Sequence, residues 1–326
     1  MSTLILTTSD LKQIDLSMRE AITACDQAFK AYGEGKVSFP GRWGLHYKEG
    51  RVLDGMPGYL EPINVGGIKW IYVWKDNPIR FKLDWVQGVL ILNDGDTGKI
   101  ISIMRERFIT NVRTGAVAAV GAKYLARRES KVVAIIGAGA VARTSLAAFH
   151  EVLPDIKEVR VADIVEEARD GFVREMKETL EPVYDIVALD SNEEATMGAD
   201  VIACQTKSSE SWLEDDMVKA GCLVIDTGGS NVDVRLARAV DRFVVDHFGT
   251  VSTRGDFAQL FQKGELTRRD VYAEFGEIVA GKKLGRASDG ERILYKHSGM
   301  GIMDIAVGYR LYSSALEKRI GQYVSL

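Results

Sequence analysis

The sequence predicts an α/β protein in which a parallel-sheet unit is inserted into a second, discontinuous domain of α+β type. Residues 131–248 alternate short apolar runs with helical patterns, as βαβ units do. The segments on either side follow different patterns, β-rich before this block and helical after it. We therefore predict one domain formed by residues 1–120 plus 299–326 and an inserted domain formed by residues 121–298.

The flanking segments contain a well-marked helix and a β-rich region. A capping box, one apolar face and a final glycine predict a helix over residues 17–33. Within residues 65–96, short β-rich runs are separated by turn sequences, which is typical of a mainly antiparallel sheet. Helices are also predicted for residues 108–127 and for the segment after Gly299.

Within the parallel-sheet block, strands are predicted where short runs rich in β-branched residues end in a turn or a helix start. They are Val132–Ile136, Glu158–Ala162, Val201–Ala203, Leu223–Asp226 and Phe243–Val245.

Composition and charge exclude several classes of function. The 326 residues are 46% hydrophobic and 27% charged, which is enough apolar material for two ordinary domains. With 42 Lys and Arg against 46 Asp and Glu, the formal net charge is −4 and no long block of one sign occurs, so no nucleic-acid partner is expected. No apolar stretch approaches the roughly 18 residues of a spanning helix, and no leader pattern opens the chain. We expect a cytoplasmic protein without a membrane partner.

Cysteine and histidine usage argues against disulfides and metal. Cys25, Cys204 and Cys222 are odd in number and far apart, and none belongs to a C-x-x-C pair. The four histidines include no pair at i, i+4 spacing, so no metal site is expected.

The motif that carries chemistry is a glycine turn between a strand and a helix. The apolar run ending at Ile136 leads into Gly137-x-Gly139-x-x-Ala142. In such a turn the first glycine permits the tight bend, the second lets the backbone approach a pyrophosphate, and the small third residue lets the helix pack on the strand. The alternative is an ordinary tight turn. The preceding strand, the following helix and an acid after the next strand favour a Rossmann dinucleotide-binding unit.

That acid is Asp163, at the end of the run EVRVAD. A carboxylate there can accept hydrogen bonds from both ribose hydroxyls of NAD and repels the 2′-phosphate of NADP. Neither Ile164 nor Val165 supplies a cation for that phosphate. We therefore expect NAD(H) in preference to NADP(H), while the alternative role of Asp163 is a helix N-cap.

With this motif in place, the chain resembles the ornithine cyclodeaminase/μ-crystallin family from end to end. The matching segments are FPGRWGLH with GMPGYL, GGIKW, FITNVRTGAVAAVGAKYLAR, and EFGEIVAGKKLGR with the helix after Gly299. The resemblance implies a homodimer whose discontinuous first domain is a substrate and dimerisation domain. It also implies a nicotinamide-dependent enzyme that interconverts a small α-amino acid and its α-imino form.

The resemblance assigns Arg42, Lys69 and Arg113 to the carboxylate of the substrate. Guanidinium groups suit this role because they hold a carboxylate through paired, charge-assisted hydrogen bonds. For each cation the alternative is a solvated surface charge. Asp54 matches an acid that faces the side-chain amine of basic substrates, although Asp54-Gly55 is also a typical turn dipeptide, the interpretation that we slightly prefer.

The resemblance also implies a set of residues around the cofactor. Beside Gly137, Gly139 and Asp163 of the motif, they are Ala140, Val141, Thr206, Thr227, Gly228, Gly229, Ser230 and Ser298. For Thr206 and Ser298 the alternative is helix capping.

One departure from the family pattern concerns an acid that handles protons in cyclodeaminases. These enzymes place an aspartate after the double glycine, where this chain has Ser230 and Asn231, and Asp233 could replace it only through a displaced loop. The departure favours a ketimine reductase or an amino-acid dehydrogenase. The alternatives are an ornithine- or lysine-type cyclodeaminase that releases ammonia, and a non-catalytic NAD(P)H-binding crystallin-like protein.

In the leading hypothesis Lys69 and Arg113 are catalytic. Arg42 and Arg113 fix the carboxylate so that the imine carbon faces the nicotinamide, and Lys69, or a water that it holds, donates the proton to the imine. Like-charge repulsion from the two arginines should lower the pKa of Lys69, which favours proton transfer near neutral pH.

Overall fold

The computed structural model describes residues 2–180 and 184–326. The chain divides into two compact units, of which unit 1 is Met1–Arg113 with Met300–Leu326 and unit 2 is Thr114–Gly299. Unit 1 is therefore discontinuous in sequence, as an insertion requires.

The first elements of the chain belong to unit 1, and the last of them, a helix, continues into unit 2. They are β1 (Ser2–Leu6), α1 (Thr8–Gln13), α2 (Met18–Gly33), β2 (Val37–Ser38), β3 (Trp43–Lys48), β4 (Arg51–Leu60), β5 (Val65–Trp74), α3 (Asn77–Phe81), β6 (Val86–Asp94), β7 (Ile100–Arg105) and α4 (Glu106–Leu125).

The elements of the inserted unit alternate strands and helices over most of its length. They are β8 (Val132–Ile136), α5 (Ala140–Val152), β9 (Glu158–Ala162), α6 (Glu166–Leu180), β10 (Asp185–Leu189), α7 (Asn192–Thr196), β11 (Val201–Cys204), β12 (Leu223–Asp226), α8 (Val234–Ala239), β13 (Arg242–Val245), α9 (Phe248–Val251), α10 (Asp256–Gln262), β14 (Ala273–Glu274), α11 (Phe275–Val279) and β15 (Ile293–Lys296). The chain then ends in unit 1 with α12 (Gly301–Lys318) and β16 (Gln322–Ser325).

The sheet of unit 1 has the strand order β16-β1-β7-β6-β5-β4-β2, and β3 also pairs with β4. Strands β4 to β7 are antiparallel neighbours, which confirms the predicted sheet, whereas β1 and β7 are parallel. The predicted capping box is also confirmed, because the Ser17 side chain caps α2 and the Glu20 side chain returns the contact.

Helix α12 packs against β4, β5 and β6 of this sheet and against α2. Glycines allow the close approach, since a Cβ on Gly58 would lie 2.8 Å from the side chain of Ile302. This packing matters for the site because it brings buried side chains of β5 and α12 next to each other.

The sheet of unit 2 has the order β10-β9-β8-β11-β12-β15-β13-β14, and its neighbouring strands run parallel. The five predicted strands are present, with β11 and β13 each one residue longer than expected. Strands β10, β14 and β15 were missed. The strand order reverses between β8 and β11, and in such sheets ligands bind at the carboxyl ends of the strands near the reversal.

Within residues 2–180 and 184–326, no helix is both long enough and apolar enough to cross a bilayer.

Candidate functional site

The glycine turn after β8 has the backbone geometry that only glycine adopts without strain. Gly137 has φ of 101°, and a Cβ there would lie 3.0 Å from the carbonyl carbon of Gln205. Its N–H donates to the carbonyl of Ala162 at the end of β9 over 2.8 Å. The first glycine of the motif is therefore required by the fold itself.

Neither the backbone conformation nor the neighbouring atoms of the protein require a glycine at position 139. Its φ is −81°, and a Cβ built on it would meet nothing within 4 Å. It is the N-cap of α5, where no side chain caps the helix, and Gly139 and Ala140 are both exposed. An uncapped helix start with open space at its N-cap residue fits a pyrophosphate. Ala142, one turn further, is fully buried and lets the helix pack closely.

Asp163 follows β9 and is joined to the glycine turn. Its Oδ2 accepts a hydrogen bond from the Ala138 N–H over 2.7 Å, and its Oδ1 accepts one from the Val165 N–H over 3.0 Å. The carboxylate thus lies beside the glycine turn at the same edge of the sheet, although it also stabilises the local turn before α6.

The turns after β11 and β12 are joined by backbone hydrogen bonds. The N–H of Gly229 donates to the Thr206 carbonyl over 2.9 Å, and the N–H of Ser230 donates to the Ser208 carbonyl over 2.8 Å. A Cβ on Gly228 would overlap the Thr206 carbonyl. The structure therefore brings Thr206 and the Thr227–Ser230 turn together at the carboxyl edge.

The helix-capping alternative is wrong for both Thr206 and Ser298. The Thr206 hydroxyl accepts from the Ser208 N–H within a loop, over 2.9 Å. The N-cap of α12 is Met300, and Ser298 instead donates its N–H to the buried carboxylate of Asp246 over 2.8 Å. Both residues lie in loops that follow strands.

Two buried acids at this edge, Asp226 and Asp246, were not predicted from the sequence. Asp226 accepts from Lys296 Nζ over 2.8 Å and from Asn231 Nδ2 over 3.0 Å, while Lys296 also donates to the Gly228 carbonyl over 3.0 Å. Burial raises the pKa of Asp226, and Lys296 opposes that effect. This network holds the turn after β12 in place.

Asp246 anchors the segment that follows β15. It accepts from the N–H groups of Ser298 and Gly299 over 2.8 Å each, and His297 Nδ1 lies 3.0 Å from its Oδ2. Burial alone would raise its pKa, but His297 and these donors hold the pKa below its usual value. A signal for both missed acids was available, since Asp226 is the last residue of β12 and Asp246 directly follows β13, as Asp163 directly follows β9.

Asn231, the second residue after the double glycine, takes part in this network. Its Nδ2 donates to Asp226 and its Oδ1 accepts from the indole of Trp212 over 3.1 Å. An aspartate at this position would lose the donor and face a second carboxylate. Asp233 caps α8 and pairs with Arg235.

In unit 1, Lys69 is buried within the sheet rather than solvated. It lies on β5 opposite Met56 of β4 and is 2% exposed, whereas its neighbour Trp70 is 44% exposed. Strand alternation sends these two side chains to opposite faces, as predicted. The interpretation of Lys69 as a surface charge is therefore wrong.

Lys69 and Arg113 meet at a carboxylate that the sequence analysis missed. Asp304 on α12 accepts from Lys69 Nζ over 3.1 Å and from Arg113 Nε over 3.2 Å, both at Oδ1. Arg113 is 6% exposed and Asp304 is fully buried. The only hint in the sequence is an acid inside the otherwise apolar run GIMDIAVG.

The charge states in this cluster are set by burial and by each other. Burial lowers the pKa of Lys69 and Arg113 lowers it further, while Asp304 and Glu106 oppose the shift. The direction matches the prediction, but the main cause is desolvation rather than like charge. For Asp304, burial would raise the pKa, and Arg113 and Lys69 together hold it below its usual value.

Among the described residues, Arg42 does not contact Asp304. It pairs instead with Asp54, through its Nε at 3.0 Å and through its Nη2. Asp54 is buried inside β4, opposite Gly44 of β3 and Ile71 of β5. The turn interpretation of Asp54-Gly55 is therefore wrong, because two neighbouring strands fix this dipeptide in a ladder.

Comparisons with known proteins agree with these features. A model of the ornithine cyclodeaminase/mu-crystallin family matches residues 1–319. An alanine dehydrogenase of Archaeoglobus fulgidus is 32% identical over an alignment of 334 positions, which covers 99% of this chain and 98% of that protein.

Two solved structures are similar over essentially the full chain. The Δ1-pyrroline-2-carboxylate reductase of Thermococcus litoralis, in complex with NADH and L-proline, is 32% identical with a TM-score of 0.92, over 99% of this chain and 100% of that one. An archaeal alanine dehydrogenase dimer with bound NAD gives the same identity and TM-score over 100% of both chains. The chain belongs to the ornithine cyclodeaminase/mu-crystallin family.

Proposed function

We propose that the protein is an NAD(H)-dependent oxidoreductase that transfers a hydride between the nicotinamide and a small α-amino or α-imino acid. The main support is the buried pair of cations, Lys69 and Arg113, in a chain that also has a glycine turn of the dinucleotide-binding type. Two fixed, buried cations are suited to a carboxylate that leaves water. The alanine dehydrogenase and the pyrroline-2-carboxylate reductase described above support the same chemistry.

The nucleotide would be held by the carboxyl edge of unit 2. We assign the pyrophosphate to Gly137, Gly139, Ala140 and Val141, and the adenosine ribose to Asp163. Thr206, Thr227, Gly228, Gly229, Ser230 and Ser298 are assigned to the nicotinamide half. When bound, the reduced cofactor supplies the hydride.

The residues of unit 1 bind the acid and move the proton. Arg113 and Arg42 fix the carboxylate, Arg42 sharing its guanidinium with Asp54. In the reductive direction the hydride goes to the imine carbon, and a proton from Lys69 Nζ, directly or through water, goes to the imine nitrogen, which leaves an amine. Asp54 then faces a side-chain amine only if the substrate is basic.

A turnover assay tests this function. Purified protein is mixed with NADH and Δ1-pyrroline-2-carboxylate, and with NAD and alanine, proline, ornithine or lysine, while the absorbance of NADH and the release of ammonia are followed. We expect one NADH consumed or formed per substrate converted. Ammonia release from ornithine or lysine with no lasting absorbance change would show a cyclodeaminase instead, an outcome that the absence of an aspartate directly after Gly229 argues against. Tight NADH binding without any turnover would show a binding protein.

The preference for NAD(H) over NADP(H) is proposed to depend on the charge of Asp163. The variant Asp163→Asn keeps an acceptor for the Ala138 N–H and removes the charge that repels a 2′-phosphate. We expect the ratio of kcat/KM for NADPH to that for NADH to rise at least about tenfold, equivalent to about 1.4 kcal/mol. An unchanged ratio would place the discrimination elsewhere, and Asp190→Asn, an exposed acid of the same edge, is the control.

We propose that the protein is a cytoplasmic homodimer. The three cysteines are free rather than disulfide-bonded, which is usual in proteins of reducing compartments. On unit 1, Trp43, Leu45, Tyr47 and Trp70 are exposed large side chains of β3 and β5, and a surface of this kind favours a protein contact. Light scattering that gives the mass of one 36.0 kDa chain would contradict the dimer.

A further inference from the structure

We infer that Asp304 is a positioning residue of this reaction, which holds Lys69 and Arg113 at one oxygen atom and keeps Lys69 in its proton-donating form. The inference rests on the proposed function. It assigns a role to a residue that lies far from both partners in the sequence and that touches the reaction only through them.

The geometry is that of a fixed three-way junction. Asp304 Oδ1 accepts from Lys69 Nζ of β5 and Arg113 Nε of α4 over 3.1 Å and 3.2 Å. The three side chains come from three different elements, and Asp304 lies within α12, in the layer that packs on the sheet. A shared acceptor at this point sets the separation and direction of the two cations.

The second oxygen of Asp304 indicates that this residue acts through its negative charge as well as through its hydrogen bonds. Among the described residues, Oδ2 of Asp304 is buried with no hydrogen-bond partner. A buried carboxylate with one bare oxygen is costly, and the two buried cations that share its other oxygen offset that cost. Such groups in native structures concentrate at functional sites.

The groups that face the junction leave Asp304 as the main counter-charge of Lys69. From α4 come Arg113, which disfavours a charged lysine, and Glu106, which favours it less than Asp304 does. From α2 come Cys25, whose thiol is buried, and Asp26. On β4 the buried acid Asp54 is paired with Arg42. Without Asp304, a desolvated lysine beside Arg113 should lose its proton at a lower pH.

The test is the pH dependence of reduction in the variant Asp304→Asn, with Δ1-pyrroline-2-carboxylate and NADH as probes. Lys69 must carry a proton to donate one, so kcat/KM falls on the alkaline side. In the variant this fall should move to lower pH by about one unit or more. At pH values above the fall of the wild type, kcat/KM of the variant should then be at least about tenfold lower than that of the wild type. The Kd for NADH, measured by fluorescence, should change by less than about twofold.

The controls separate positioning from a structural role. Asp200→Asn removes another buried carboxylate, paired with Arg127 and Lys219 in unit 2, and should leave the alkaline fall where it is. A uniform loss of activity at every pH in Asp304→Asn, with the fall unmoved, would overturn the inference and leave the proposed function intact.

If Asp304→Asn does not fold, the variant Asp304→Glu provides the test. Because this variant keeps the charge, the fall should stay within about 0.3 pH unit of the wild type, and a larger displacement would overturn the inference. A wild-type protein inactive with every acid of the screen would remove the proposed function and this inference together.

Discussion

Replacement of Lys69 by methionine is expected to lower kcat/KM for imine reduction by about a thousandfold. Lys69 is 2% exposed, so its charge is not a solvated surface feature that could be removed without consequence. Methionine is unbranched and of similar length, and it fills the space without a proton to donate. Arg113 still neutralises Asp304, so the variant should fold. Stopped-flow or steady-state absorbance of NADH measures the loss.

Two further measurements make this result specific. NADH affinity should be retained within about twofold, because the glycine turn belongs to unit 2 and is untouched. Lys69→Arg should be almost as inactive as Lys69→Met, since a guanidinium keeps the charge but does not release a proton near neutral pH. Lys48→Met, at an exposed lysine of β3, is the matched control and should be active. A near-normal rate in Lys69→Met would remove this residue from the mechanism.

Local chemistry explains which parts of the molecule could be predicted from the sequence. The glycine turn was predictable because Gly137 needs a backbone conformation that only glycine adopts easily, which is a property of the single residue. The helix after Ser17 was predictable because its cap and its apolar face lie within a few residues of each other. The core strands of unit 2 were predictable because buried parallel strands are short, continuous apolar runs.

The features that were missed depend on contacts between distant parts of the chain. Strand β15 lies between β12 and β13 in the sheet although it follows both in sequence, and no local pattern encodes that order. Asp304 is separated by 235 residues from Lys69, so their contact exists only once α12 packs on β5. Asp54-Gly55 was misjudged because pairing with two neighbouring strands outweighs the turn preference of a dipeptide.

Gly139→Ala is expected to weaken NADH binding at least about thirtyfold, or about 2 kcal/mol, while the protein remains folded. Gly139 has an extended backbone that alanine adopts, and an added methyl group would meet no protein atom within 4 Å. The open space in front of the helix start is therefore available to a ligand, and a methyl group there would keep a pyrophosphate from the N–H groups of α5. Fluorescence titration with NADH gives the Kd.

Two other glycines show whether space or strain is responsible. Gly290→Ala also adds a methyl group that meets nothing within 4 Å, but away from the turn after β8, and should bind NADH normally. Gly137→Ala should lower both affinity and the unfolding temperature, because its φ of 101° and its contact with Gln205 oppose any side chain. If Gly139→Ala bound NADH as tightly as Gly290→Ala, the pyrophosphate could not lie against this helix start. The dinucleotide assignment of the glycine turn would then have to be abandoned, since Gly137 alone is explained by the fold.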